Sequence, residues 1–195
     1  TVPVVAGETV NENEITNEIE TGSGADSIIA RNIKGQAEID TNAGDDTIQA
    51  REIKDNVEIN TGSDDDTITV TNNVSNQAKL YTEEGNDTIT IGNDLKDNAL
   101  IETGSGNDTV SVTHDMKNQA KIYTEEGNDT VSVGNDMKEN AYIETGDGAD
   151  IVNVGHDMKN QSEIKTGEGD DIVNIGNKMK NDAEINTGSG DDIVT

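Results

Sequence analysis

The side chains best placed to do chemistry form one column of nine aspartates: Asp26, Asp46, Asp66, Asp87, Asp108, Asp129, Asp150, Asp171 and Asp192. Each belongs to a string of the form T-G-x-G-x-D-x-(Ile/Val), with variants. The threonine that opens the string recurs from Thr21 to Thr187, at spacings of 20 twice and then 21 six times. If the chain coils with that period, neighbouring carboxylates line up along one edge. Two unit charges ~5 Å apart at an effective dielectric of ~20 repel by roughly 3 kcal/mol. Lys and Arg do not occupy the adjacent columns. The simplest remedy is a hard cation with oxygen ligands. The glycines of the string let a loop turn its carbonyls toward such an ion, through φ > 0 conformations that other residues resist.

Other chemistry is sparse. With no cysteine, disulfides, thiolate zinc sites and thiol nucleophiles are excluded together. His114 and His156 are 42 residues apart, hence two coils apart on one ladder, with Asn135 between them. A zinc site or a general base needs converging partners, so exposed turn residues are expected here. The turn opposite the aspartate column reads Asn93-Asp94, His114-Asp115, Asn135-Asp136, His156-Asp157 and Asn177-Lys178. Its acidic column lapses at Asn32, Asn73 and Lys178, which suits a polar turn satisfying its own backbone better than a second metal row. The sequons at Asn86, Asn107 and Asn128 fall inside the aspartate turn, where the repeat itself dictates Asn-Asp-Thr. Glycosylation is not expected there. No nucleophile–base pair stands out from the repeat, so the chain is not expected to be an enzyme.

The elements that must position the column follow from the apolar residues. After each Asp come two apolar positions at period 2, such as Ile89 and Ile91 or Val110 and Val112, with Thr, Ser or Asn around them. That alternation is a short half-buried strand. Four residues on stands Ile33, Ile53, Val74, Leu95, Met116, Met137, Met158 or Met179, the methionines filling gaps in the core. A second alternating run follows, as in Ala99, Ile101 and Thr103. Tyr81, Tyr123 and Tyr142 fall on its outward side. No such unit buries its own face, so successive units must stack at ~4.8 Å with each strand beside its equivalent. The expected fold is therefore all-β: a parallel β-solenoid (β-roll or β-helix) of about nine 20–21-residue coils, with a cation-binding turn row on one edge. Residues 1–17, with Pro3, Val4, Val5, Val10 and Ile15, fit the repeat only in part and are expected to be a partial coil or a cap. Residues 18–195 form the repeat array, expected to be a fragment of a longer one.

Composition agrees. Asp and Glu total 41 against 13 Lys and Arg, a net charge of −28. Ile, Leu, Val and Phe make up 20% of 195 residues, and Trp and Phe are absent. A thin column of like-on-like side chains needs no more, whereas a wide aromatic core is ruled out. A polyanion repels nucleic acid. No apolar run approaches ~20 residues, so membrane insertion is not expected. No basic segment leads into an apolar stretch, so a signal peptide is expected to be absent or removed.

The repeats resemble the calcium-binding repeats of the RTX (repeats-in-toxin) proteins, whose nonapeptide is G-G-x-G-x-D-x-U-x. The resemblance covers residues 18–195. It implies a parallel β-roll with several Ca2+, up to about eight here, between turns of successive coils. The implied metal residues are Gly22, Gly24 and Asp26; Gly44 and Asp46; Gly62, Asp64 and Asp66; Gly85 and Asp87; Gly104, Gly106 and Asp108; Gly127 and Asp129; Gly146, Gly148 and Asp150; Gly167, Gly169 and Asp171; and Gly188, Gly190 and Asp192. Three departures stand out. The first glycine is Thr in every repeat; the second is Asn42, Glu83 and Glu125 in three repeats; the third is Asp64 in one. Glu resists left-handed φ, so Glu83 and Glu125 are expected either to change the loop geometry or to add a carboxylate ligand. Only one turn per coil carries the motif, which confines calcium mainly to one edge. The resemblance implies a calcium-dependent structural segment of a secreted bacterial surface protein, such as an adhesin, S-layer or filament component. The alternative is a C-terminal export and folding domain of an RTX toxin or secreted hydrolase. Either works outside the cell or at its surface. Calcium ions are the expected partners, with self-association end to end or with other surface copies possible.

Overall fold

The computed structural model describes residue 7 and residues 9–195; Pro3, Val4 and Val5 lie outside the described residues. The chain is an all-β parallel solenoid of about nine coils, with no helix among the described residues. One 11-stranded sheet runs from Thr9–Ile15 through Ser27–Ile33, Thr47–Lys54 and the later first strands to Ile193–Val194. A second sheet of nine short strands runs from Ile19–Glu20 to Glu184–Asn186. Between them a narrow third wall is built from Val74, Leu95, Met116 and Met137, and from the strands Met158–Lys159 and Met179–Lys180.

Every pairing is parallel and sets like on like: Ile89 beside Val110 beside Val131, and Ile101 beside Ile122 beside Ile143. Alternation makes this possible. In Thr88–Ile91 and Thr109–Val112 the second and fourth side chains are buried, while the first and third face out. The core is one continuous column of Ile, Val, Leu, Met and Ala, most of them fully buried. Thr9–Ile15 pairs with Ser27–Ile33 and extends the first sheet by a further strand.

The change of period from 20 to 21 has a local cause. In the first two coils a single long strand, as in Thr47–Lys54, serves the first sheet and the third wall together. Its neighbour is split into Thr67–Val70 and Val74–Ser75. Ala50 pairs with Val70 and Ile53 with Val74, so three residues oppose two and the extra one is bulged out. Later coils keep that length at the corner. The third corner, between the third wall and the second sheet, is tightened by pairs with left-handed φ, such as Asn118-Gln119 and Asn160-Gln161. Asn and Asp tolerate that region best, which accounts for their recurrence at these turns.

Candidate metal edge

The aspartate column does not lie on the rim. Asp26, Asp46, Asp66, Asp87, Asp108, Asp129, Asp150 and Asp171 are each at most 3% exposed, beneath the turn that joins the second sheet to the first. The turn is tight because its glycines leave no space between coils. A Cβ on Gly106, at φ 138°, would stand 1.7 Å from the carbonyl oxygen of Gly85. On Gly127, at φ 139°, it would stand 1.5 Å from that of Gly106. Both are excluded sterically, so glycine is required by close approach as well as by dihedral angle.

Each buried carboxylate is engaged through Oδ1. Its Oδ1 accepts the backbone N–H of the aspartate one coil earlier: Asp66 N–H to Asp87, Asp87 N–H to Asp108 and Asp108 N–H to Asp129, at 2.7–2.8 Å. The same bond joins every successive pair from Asp26 to Asp192, at 2.7–3.0 Å. The other oxygen is buried without a hydrogen-bond donor in Asp46, Asp66, Asp87, Asp108, Asp129, Asp150 and Asp171. The hydroxyls of Thr82 and Thr124 also reach along the axis to the carbonyls of Thr103 and Thr145 at 3.3 Å, so what they give the carboxylates is shared. A buried acceptor left so costs roughly 1–3 kcal/mol, and more when it is charged. Burial accordingly pushes the carboxyls up, Asp66 to about 7 and Asp87 and Asp129 to about 6. Thr61, Thr82 and Thr124 and the amide of the preceding aspartate oppose the shift without cancelling it.

The corner after the first sheet uses the same ladder with a different ending. There the Oδ1 atoms of Asp94, Asp115 and Asp136 accept the N–H of Asp115, Asp136 and Asp157, at 3.1–3.2 Å. Their second oxygens are taken by lysines. Lys117 Nζ reaches Asp94 at 2.7 Å, Lys138 reaches Asp115 at 2.8 Å, and Lys159 and Lys180 reach Asp136 and Asp157 at 2.6 Å. Burial would raise the Asp136 carboxyl, but Lys159, the Asp157 amide and His156 hold it down at about 2. Asp157 is lowered chiefly by Lys180. His156 Nδ1 lies 3.3 Å from Asp136, and Asp136, His156 and Asp157 form the one compact set of three metal-ligating side chains among the described residues. Lysines already neutralise both of these carboxylates. The lysines were missed in the sequence. Each binds an aspartate 23 positions upstream, one 21-residue coil plus two, a relation visible only once the coils are stacked.

The departures from the glycine pattern also resolve. Asn42, Asp64, Glu83 and Glu125 all adopt the left-handed conformation, at φ 70°, 83°, 65° and 66°, so loop geometry is kept rather than changed. Glu83 does not turn toward the aspartate column: its Oε1 accepts the Asn60 amide at 2.7 Å on the outer side of the second sheet. Glu125 faces Glu102 there, and burial together with that neighbour raises Glu102. Outside the column, Asn86, Asn107 and Asn128 form an amide ladder, each Oδ1 accepting from the next coil. The side chains the sequons would offer are thus already engaged.

No protein family, curated protein or solved structure matches this chain.

Proposed function

We propose that this chain is a calcium-dependent structural repeat segment of a secreted bacterial surface protein, of the adhesin, S-layer or filament type, rigidified by Ca2+ outside the cell. One observation carries the reading. Two edges of the same solenoid each carry an aspartate ladder, and only one edge supplies its own cations. Where Lys117, Lys138, Lys159 and Lys180 stand, the second carboxylate oxygens are neutralised. On the glycine edge, from Asp46 to Asp171, they are buried with no lysine or arginine paired to them. An anionic oxygen donor set of that kind suits a hard divalent cation, which would supply the missing positive charge. The residues that would hold it are the adjacent aspartates of the column, with the glycine turn carbonyls that the RTX resemblance implies. Eight such ions would bring the charge from −28 to about −12.

The chain's own residues set the consequence. A core of 20% Ile, Leu and Val stabilises the rod only if the turn edge does not oppose it. Extracellular modules bind calcium at ~10⁻⁴–10⁻³ M, far above cytosolic levels, so the chain would stay unfolded inside and order outside. A calcium titration followed by far-UV circular dichroism tests this. Chelation with EGTA should remove strand signal, millimolar Ca2+ should restore it, and Mg2+ should substitute poorly. A spectrum indifferent to EGTA, or fewer than four bound ions by native mass spectrometry, would refute the reading.

A further inference from the structure

The two central outward columns of the first sheet are free of charge, while Arg31 and Arg51 stand outward beyond them at the corner of the first two coils. Each coil contributes two side chains to these columns, from Ser27 and Ile29 in the first coil to Ile193 and Thr195 in the last. None of these eighteen positions is Asp, Glu, Lys or Arg. In a chain that is 28% charged, about five would be expected. The outer face of the second sheet shows the contrast, with ten charged residues among the sixteen outward positions from Glu38 to Asn186. Strand propensity alone does not explain this, because both faces are strands.

The charge-free columns are also regular. Thr47, Thr67, Thr88, Thr109 and Thr130 stand side by side in five successive coils. Beside them run Thr69, Thr90, Ser111 and Ser132. Isoleucine takes over at the ends, as Ile29, Ile151, Ile172 and Ile193. Around the middle the margins are neutral too, with Asn86, Asn107 and Asn128 on one side and Gly92, Thr113 and Gly134 on the other. Parallel, in-register ladders of small uncharged residues are the geometry in which two sheets interdigitate face to face with water excluded.

From this we infer that the outer face of the first sheet is a lateral docking surface for a second copy of this chain. Like-charged rods of −28 repel wherever they expose carboxylates, and along these two columns two copies approach with no charge opposing charge. In an antiparallel, two-fold arrangement the fifth coil meets its own counterpart, Thr109 against Thr109. The isoleucine-rich end then covers Ser27, Thr47 and Thr67 in the partner's first three coils. Nine strands ~4.8 Å apart and four residues long give a face of roughly 500 Å². Two faces together reach roughly 1,000 Å², the lower bound of a specific interface. Pairing should therefore be weak and reversible, suited to copies held side by side on a surface. This inference does not depend on which cation fills the glycine edge.

Sedimentation velocity on the folded, calcium-loaded chain across 5 μM to 1 mM tests it, with circular dichroism confirming the fold in the same buffer. The expected result is a monomer–dimer equilibrium that strengthens between low and high salt, as screening relieves the repulsion of the remaining surface. Thr109→Lys should weaken it at least tenfold, whereas Tyr123→Lys, the same charge on the second sheet, should not. A folded chain that stays monomeric throughout overturns the proposal. So does association that Thr109→Lys leaves unchanged. Uptake of a monomeric chain into growing ice or onto insoluble polysaccharide would assign the face to a crystalline hydroxyl lattice and would also overturn the pairing.

Discussion

Asp87→Asn separates a buried carboxylate that awaits a cation from one that merely shapes a turn. The substitution keeps an Oδ1 to accept the Asp66 N–H, at 2.7 Å in the parent, and removes the charge on the other oxygen. Burial raises the Asp87 carboxyl to about 6. The unfolded chain has the ordinary value, so ionisation disfavours the metal-free fold increasingly as pH rises from about 4 to 6, and fully above that. A shift of roughly two units corresponds to about 3 kcal/mol. The new buried amide N–H costs about 1–2 kcal/mol, which the Thr82 hydroxyl offsets in part as acceptor. Without calcium at pH 7.5 the variant should therefore be more stable by about 1–2 kcal/mol. If the column holds calcium, the variant should be less stable than the parent with calcium present, because the proposed sites on both sides of the coil would lose a ligand. Urea melts monitored by circular dichroism, with a stabilising osmolyte in the EGTA arm so that both transitions are measurable, read the two signs directly. Equal destabilisation with and without calcium would refute the cation argument and leave Asp87 a turn residue.

Two further predictions use the other irregular positions. Glu83→Gly and Glu125→Gly relieve left-handed backbone at φ 65° and 66° and should each raise stability by about 1 kcal/mol. The number of bound ions by native mass spectrometry should not change, since Glu83 engages Asn60; loss of an ion would make that carboxylate a ligand. Lys159→Met leaves the Asp136 carboxylate without its main partner and should cost about 1–2 kcal/mol at neutral pH, discounted for partial exposure. Because Asp136 is depressed to about 2 in the fold, that loss should be full above about pH 4. It should vanish as pH falls through about 2, and a pH-independent difference between melts would contradict the assignment.

The periodicity of Thr, Gly, Asp and Ile was enough to set the coil, the inward side chains and the register. A one-residue slip would turn every Ile89-like side chain outward. The aspartate column was legible as a line of like charges, though its depth was not. From sequence the carboxylates belong to a turn, and only the stacked backbone shows that they are buried beneath it. The lysine ladder and the neutral outer columns were hidden for one reason. Each is a relation between coils, and the eye follows residues within a repeat before it follows them across. The bulge behind the 20-to-21 change sits at Thr71-Asn72-Asn73, where composition does not distinguish an inserted corner residue from an ordinary turn.

The two aspartate ladders lean opposite ways along the axis. On the glycine edge a later coil's side chain holds an earlier coil's amide; at the lysine corner an earlier side chain holds a later amide. Every junction therefore presents the same complementary halves, whichever two coils meet. If one 21-residue unit were excised or duplicated anywhere between Thr82 and Thr187, the new neighbours would match donor for acceptor and lysine for carboxylate across almost every seam. Lys79–Ala99 and Lys121–Ala141 share 15 of 21 residues and differ only by similar ones, which shows how closely two coils of the rod already match. The length of the rod then becomes a quantity that evolution can alter in steps of one strand spacing, about 4.8 Å, with almost every contact kept.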